Sequence, residues 1–278
     1  TDEPEAVLAL LDKRAAHEQL TDSDWRKLFA TEGYRRLQQR EHSMGRSFED
    51  AYFRTFVLSD DLLGKRDELR QTLSEWSKAD MTGATNLALA YLPKGAKIKA
   101  KVYPVIKPKT NSFVFDTQND PAIFIYIEPL PREVFEGIMA HELHHIGYAS
   151  ACTASEASEL VTWVSAFGEG VATIAAAGGP KNEPRLKSDA LAEWHRQMPK
   201  LEDNFKAVHT FFERIASGQL KGDEVRKAGM EFFGFVGPWY TVGWHMSAVI
   251  EEELGRDALI AAFCDQRRLL ATYNRAAE

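Results

Sequence analysis

His141-Glu142-Leu143-His144-His145 is the stretch on which the reading of this chain turns. Two histidines four positions apart share one face of an α-helix, their Cβ atoms about 5–6 Å from each other. Both imidazoles can therefore reach a single metal ion, as in the HExxH pattern. Glu142 adjoins the first histidine but is turned off that face, which frees its carboxylate to act on a water at the metal. The flanks are helical: Pro131 suits a first turn, Glu133 follows it, and apolar residues recur with helical spacing. At about 100° per residue, Phe135, Met139, Leu143 and Ile146 form a core-facing stripe. His141 and His145 share another face with Ile138 and Tyr148. His144 points elsewhere and reads as a surface group or one standing behind the ligands. The plainer alternative is a buried helix whose histidines are simply hydrogen-bonded.

A catalytic zinc takes three protein ligands and keeps a fourth position open. A metzincin would place glycine and histidine where this chain has Tyr148 and Ala151, and the inverted H-x-x-E-H order is absent. Cys152 and Cys264 have no zinc spacing and are expected as free thiols, with one bridge between them as the alternative. What remains is a glutamate on a following helix. Ser155-Glu156-Ala157-Ser158-Glu159 reads as the capped start of one, running through Trp163 and Phe167 to Gly178-Gly179-Pro180. Within it Glu169 lies 24 positions beyond His145, room for a loop and an antiparallel return. Gly168 and Gly170 flank it, each costing about 1 kcal/mol against alanine in a helix. That cost implies a backbone passing close to something, and the metal helix is the expected neighbour. Glu156 and Glu159 are the competing ligands, although acids in a first turn are already favoured by the helix dipole.

HELHH followed by GEGVAT resembles the gluzincin metallopeptidases. YPVIKP, NSFVF, DPAIFIYIEP, HELHHIGY and GPWYTVGW together resemble an uncharacterised bacterial family ascribed zinc-dependent peptidase activity, as does the early DWRKLFATEGYRRLQQRE segment. The resemblance implies a zincin-like fold in which His141, His145 and Glu169 hold one Zn²⁺ per chain and Glu142 is the base. One position departs from it. Thermolysin-like members often carry Asp four residues after the ligand Glu, to orient a metal histidine, and here Thr173 stands there.

The 278 residues are 44% hydrophobic and 27% charged, with net charge −7 and pI near 5.7. That balance argues against nucleic acid or an anionic membrane as partner. No apolar run reads as long enough to cross a bilayer. The expected fold is α+β and predominantly helical, with helices over residues 1–92 packed on a catalytic region over residues 93–278. Lys97, Lys99 and Lys101 alternate with Ile98, Ala100 and Val102, the period of a half-buried edge strand whose wet face is lysine. Ser112–Phe115 and Ala122–Ile127 read as a hairpin, giving a small antiparallel sheet. Its second strand is a candidate for holding an extended peptide by strand addition. Arg35, Arg36 and Arg40 beside Glu32 and Glu41 read as a solvated, salt-bridged face.

Gly237-Pro238-Trp239-Tyr240-Thr241-Val242-Gly243-Trp244-His245 opens a further helix with proline and offers two donors, Tyr240 and His245. Either suits the oxyanion that a zinc peptidase must stabilise. The alternative is that these rings line the core. A first residue other than methionine is expected from a removed export signal or a trimmed chain. The expected activity is zinc-dependent hydrolysis of a peptide or protein substrate. The competing expectations are a non-peptidase amide or ester hydrolase and an inactive zincin-fold binding module.

Overall fold

A computed structural model describes residues 1–152 and 158–278. They form two compact units, Thr1–Asp80 with Ala100–Leu130, and Met81–Lys99 with Pro131–Glu278. This division differs from the one read at 92/93. The strands join the N-terminal helices, and the segment that precedes them joins the metal helix.

The first unit holds α1 (Asp2–Ala15), α2 (Asp22–Phe29), α3 (Glu32–Ser43), α4 (Asp50–Val57), α5 (Asp60–Gly64) and α6 (Arg66–Trp76). Helix α2 starts where Thr21 and Asp24 cap each other. The Thr21 hydroxyl accepts from the Asp24 amide, and the Asp24 carboxylate accepts from the Thr21 amide. The apolar stripe of α1, Val7, Leu8, Leu10 and Leu11, is buried with Leu28, Tyr34, Leu37 and Phe53.

Three strands complete this unit, β1 (Lys101–Val105), β2 (Phe113–Phe115) and β3 (Ala122–Tyr126), in the order β1-β3-β2. The expected hairpin of β2 and β3 is present and antiparallel, but β1 runs parallel to β3. The sheet is therefore mixed rather than antiparallel. The chain leaves β1, crosses to the far edge as β2, and returns by the hairpin into the middle. Phe124 is paired with both Tyr103 and Phe113, and the three rings stack at 5.1 and 5.2 Å.

That stack reverses the phase expected for β1. Tyr103 and Val105 point into the core, while Val102 is 42% exposed. Strand addition to β3 is also ruled out, because both of its edges are already paired. Arg36 is not on a solvated face. It is buried, with its guanidinium donating to the Asp120 carboxylate (2.7 Å), the Asp120 carbonyl (2.6 Å) and the Tyr103 hydroxyl (3.2 Å).

The second unit is helical: α7 (Thr82–Leu89), α8 (Arg132–Ala151), α9 (Glu159–Val164), α10 (Gly168–Ala177), α11 (Ser188–Gln197), α12 (Leu201–Ala216), α13 (Asp223–Glu231), α14 (Pro238–Leu254), α15 (Arg256–Cys264) and α16 (Gln266–Ala277). The start expected at Ser155–Glu156 lies outside the described residues. From Glu159 the chain runs through α9, one 3-10 turn and α10 to Gly178, whose φ of +80° ends the helix as glycine allows. Glu159–Ala177 is long and apolar enough to cross a membrane, with mean hydropathy 1.4, a run the sequence reading passed over. More than half of it is buried inside this unit, which is what a core helix requires.

Glu3 of α1 is fully buried. Its Oε2 accepts from the Ile106 amide at 3.0 Å, and its Oε1 meets no donor. Burial, reinforced by the charge of Asp2, pushes its carboxyl from 4.5 up to about 8 against the smaller opposing pull of the Ile106 amide. The folded state thus keeps a proton that the unfolded chain has released. The associated stability is complete below about pH 4.5 and is lost as pH rises towards 8. Thermal melts are expected to show the first unit weakening between pH 5 and 8, with Glu3→Gln flattening that slope.

Candidate metal centre

Helix α8 begins at Pro131, whose carbonyl accepts from the Val134 and Phe135 amides. Phe135, Met139, Leu143 and Ile146 are buried as their spacing requires. The opposite face presents His141 and His145, whose side chains are 17% and 22% exposed. Glu169, in the first turn of α10, is 19% exposed and completes the group. Its Oε2 lies 3.1 Å from His141 Nε2 and 3.6 Å from His145 Nε2, and the two Nε2 atoms are 3.1 Å apart.

Those separations test whether a metal fits. Zinc bound to nitrogen and carboxylate oxygen at about 2.0–2.1 Å with tetrahedral angles sets its ligand atoms about 3.3 Å apart. All three edges of the triangle lie close to that value. Among the described residues these three form the single group of His, Cys, Asp and Glu donors close enough to hold an ion. Glu159 is exposed at the start of α9 and outside the group.

Glu169 and His145 shift each other's protonation. Burial would push the His145 imidazole down, but the Glu169 carboxylate, helped by the charge of Glu142, raises it overall. Burial would likewise raise Glu169, and the two imidazoles outweigh it, holding the carboxyl far below its ordinary value. Glu142 is buried, and its charge acts on both His145 and Tyr240.

Tyr240 comes from the first turn of α14. Its ring stacks on His141 with centroids 6.4 Å apart and planes 23° from parallel. Burial, then the charges of Glu169 and Glu142, hold its phenol protonated well above the ordinary range. A backbone contact brings it there. A Cβ on Gly170 would lie 2.0 Å from the Trp244 amide nitrogen and 2.1 Å from the Gly243 carbonyl carbon. A Cβ on Gly243 would lie 2.5 Å from the Phe167 carbonyl oxygen. The close approach expected beside Glu169 is therefore real, but the tight neighbour is α14, not the metal helix.

His245 is not brought to this centre. Five residues beyond Tyr240, it is turned about 140° around the helix. It packs between Phe205 (5.7 Å) and Tyr273 (6.4 Å), where burial lowers its imidazole. Trp239 follows the core alternative, its indole donating to the Gly229 carbonyl at 2.8 Å. Thr173 serves the helix, its hydroxyl donating to the Glu169 carbonyl at 2.7 Å.

Two features escaped the sequence reading. His144 is no surface group. It is 2% exposed, its Nε2 lies 3.3 Å from the Tyr91 carbonyl, and burial pushes its imidazole down to about 3. Cys152 and Cys264 are not free thiols but a disulfide, with Cα atoms 4.7 Å apart. Cys152 caps the C-terminal end of α8 and Cys264 ends α15, a juxtaposition hidden by their 112-residue separation. Beside the bridge, the Tyr148 hydroxyl donates to the Phe263 carbonyl (3.2 Å) and accepts from Gln266 Nε2.

Comparison with known families adds one finding. Residues 25–278 match the family described as "Putative zinc dependent peptidase (DUF5700)". The chain belongs to this family. Comparisons with curated proteins and with solved structures returned no match. The family's description names the metal that the three-donor group fits.

Glu169→Ala removes the oxygen donor and leaves two imidazoles. Elemental analysis of chain purified without added metal is expected to find about one zinc per wild-type chain and a clear loss in the variant. Zinc retained by the variant would move the third ligand elsewhere.

Proposed function

We propose that the chain is a single-zinc peptidase of the gluzincin type with a zincin-like catalytic core. In this reading His141, His145 and Glu169 are the ligands, Glu142 carries the proton and Tyr240 is the oxyanion donor. The supporting observation is convergence: three donor atoms at tetrahedral spacing, with the buried Glu142 carboxyl next along the helix and the Tyr240 ring stacked on His141. Three protein donors leave a fourth position open, which favours a catalytic over a structural metal. Zinc held there would supply a Lewis acid that polarises a carbonyl and acidifies water near neutral pH.

The chain's own residues then have defined tasks. Glu142 accepts a proton at a carboxylate oxygen from the attacking water, whose oxygen bonds to the scissile carbonyl carbon. As the carbon–nitrogen bond breaks, the same oxygen returns the proton to the leaving amine. Tyr240 donates its O–H to the carbonyl oxygen as negative charge grows on it. Its raised pKa keeps that proton in place at working pH. His245 has no step in this scheme, because it faces Phe205 and Tyr273.

A peptide mixture incubated with zinc-loaded chain and read by mass spectrometry tests the reading. Glu142→Gln is expected to retain zinc and lose about 10²–10⁴-fold in kcat/KM. Tyr240→Phe is expected to lower kcat by about 10²-fold with KM little changed, because its bond strengthens only in the transition state. Unchanged turnover in Glu142→Gln would refute the mechanism.

The disulfide supports work in an oxidising compartment, since such bridges rarely persist in the cytosol. Thiol labelling of chain taken from its native compartment under denaturing, non-reducing conditions should find neither cysteine free. Two labelled cysteines would place the protein in a reducing compartment.

A further inference from the structure

HExxH chemistry makes no demand on residue 144, and a position 2% exposed ordinarily suits an apolar side chain. This chain spends a polar ring there on one bond. A carbonyl oxygen only accepts, so His144 Nε2 donates to Tyr91 O at 3.3 Å, while its buried Nδ1 meets no partner. An orphaned buried nitrogen is costly, and the single bond that accompanies it ties the metal helix, between Glu142 and His145, to Tyr91.

Tyr91 is held at its other end as well. Its hydroxyl donates to Glu251 Oε1 on α14 at 3.1 Å. Arg256 lies over its ring at 4.3 Å and pairs with the same carboxylate at 2.8 Å. At the end of α10, a Cβ on Gly179 would sit 3.7 Å from the Tyr91 hydroxyl. One buried residue therefore adjoins all three helices that carry the centre, by its carbonyl to α8 with His141, Glu142 and His145, and by its hydroxyl to the end of α10, which carries Glu169, and to α14 with Tyr240. Helices α10 and α14 bring their backbones together at Gly170 and Gly243, near the metal donors. Glu251 is eight residues beyond Gly243, about 12 Å along the axis. A bond there ties the far part of α14 to Tyr91, and through the Tyr91 carbonyl to the metal helix.

We infer that Tyr91, clamped between His144 and Glu251, is a positioning residue that sets the Tyr240 hydroxyl against the metal centre. The inference rests on the reading of that centre given above. It is not a claim that Tyr91 touches substrate.

The test is a double-mutant cycle on zinc-loaded full-length chain, read as affinity for acetohydroxamic acid, a small zinc chelator whose oxygens offer acceptors to Tyr240. Tyr240→Phe should weaken binding about ten-fold and Tyr91→Phe about five-fold, with zinc per chain unchanged. In the Tyr240→Phe background, Tyr91→Phe should cost nothing further, because there is no hydroxyl left to position. His144→Leu should reproduce the Tyr91→Phe loss. His144→Gln, whose amide can still donate to the Tyr91 carbonyl, should restore binding, and this pair decides the matter if Tyr91→Phe does not fold.

Unchanged binding in Tyr91→Phe, or losses that add in the double variant, would make Tyr91 a purely structural residue and overturn the inference. A wild type that binds zinc and hydroxamate but cleaves no peptide sinks the peptidase reading, while the cycle still decides the positioning. A wild type that takes up no zinc overturns both.

Discussion

Two helix backbones meet at Gly170 and Gly243 without a side chain between them, and the candidate centre is arranged around that contact. A methyl group on Gly170 would overlap the backbone of residues 243–244, and one on Gly243 would overlap the Phe167 carbonyl. Such an approach is open only to glycine, and it sits one residue from Glu169 and three from Tyr240. The helices can close this far because Phe167, Trp239 and Val242 fill the space beside the crossing. The same core therefore positions the third metal donor and the phenol together. Helix propensity sacrificed at Gly170, of order 1 kcal/mol, is offset by packing that a larger residue would prevent.

Charge follows from this geometry. Closing the three helices buries two carboxylates, two imidazoles and a phenol within one small volume. Glu169 and the two imidazoles act on one another, which holds the carboxyl low and raises His145 against burial. To hold a metal, both imidazoles would have to be neutral and the Glu169 carboxylate ionised. The acidity of Glu169 and the basicity of His145 are thus two views of one mutual interaction. Tyr240 responds to the same field in the opposite sense: negative charge around a phenol keeps its proton on, as a hydrogen-bond donor requires.

The metal helix is fastened along its length by parts of the chain far apart in sequence. At its C-terminal end the Cys152–Cys264 bridge and the hydroxyl of Tyr148 join it to α15 and the start of α16. In its middle His144 joins it to the turn after α7. Near Gly147 it lies against Leu92 and Ile98. The N-terminal unit, by contrast, has a complete core of its own, with the Tyr103–Phe124–Phe113 stack across its sheet and Arg36 satisfied inside it.

Local periodicity made much of this legible. The apolar stripe of α8, the shared face of His141 and His145 and the hairpin of β2 and β3 all depend on contacts within a few residues or across a short turn. Glu169 and Tyr240 were readable because glycines in a helix and a proline-led aromatic helix are local anomalies. The partner of Cys152, the burial of His144, the parallel pairing of β1 and the turning away of His245 carried no such mark. Each depends on which distant segment arrives at a given surface, and that is decided by the packing of whole helices and strands rather than by spacing along the chain. The sequence by itself determined which residues can bind a metal and move a proton. Only the tertiary structure decided which of them meet, because a shared core, not the local period, brings α8, α10 and α14 together.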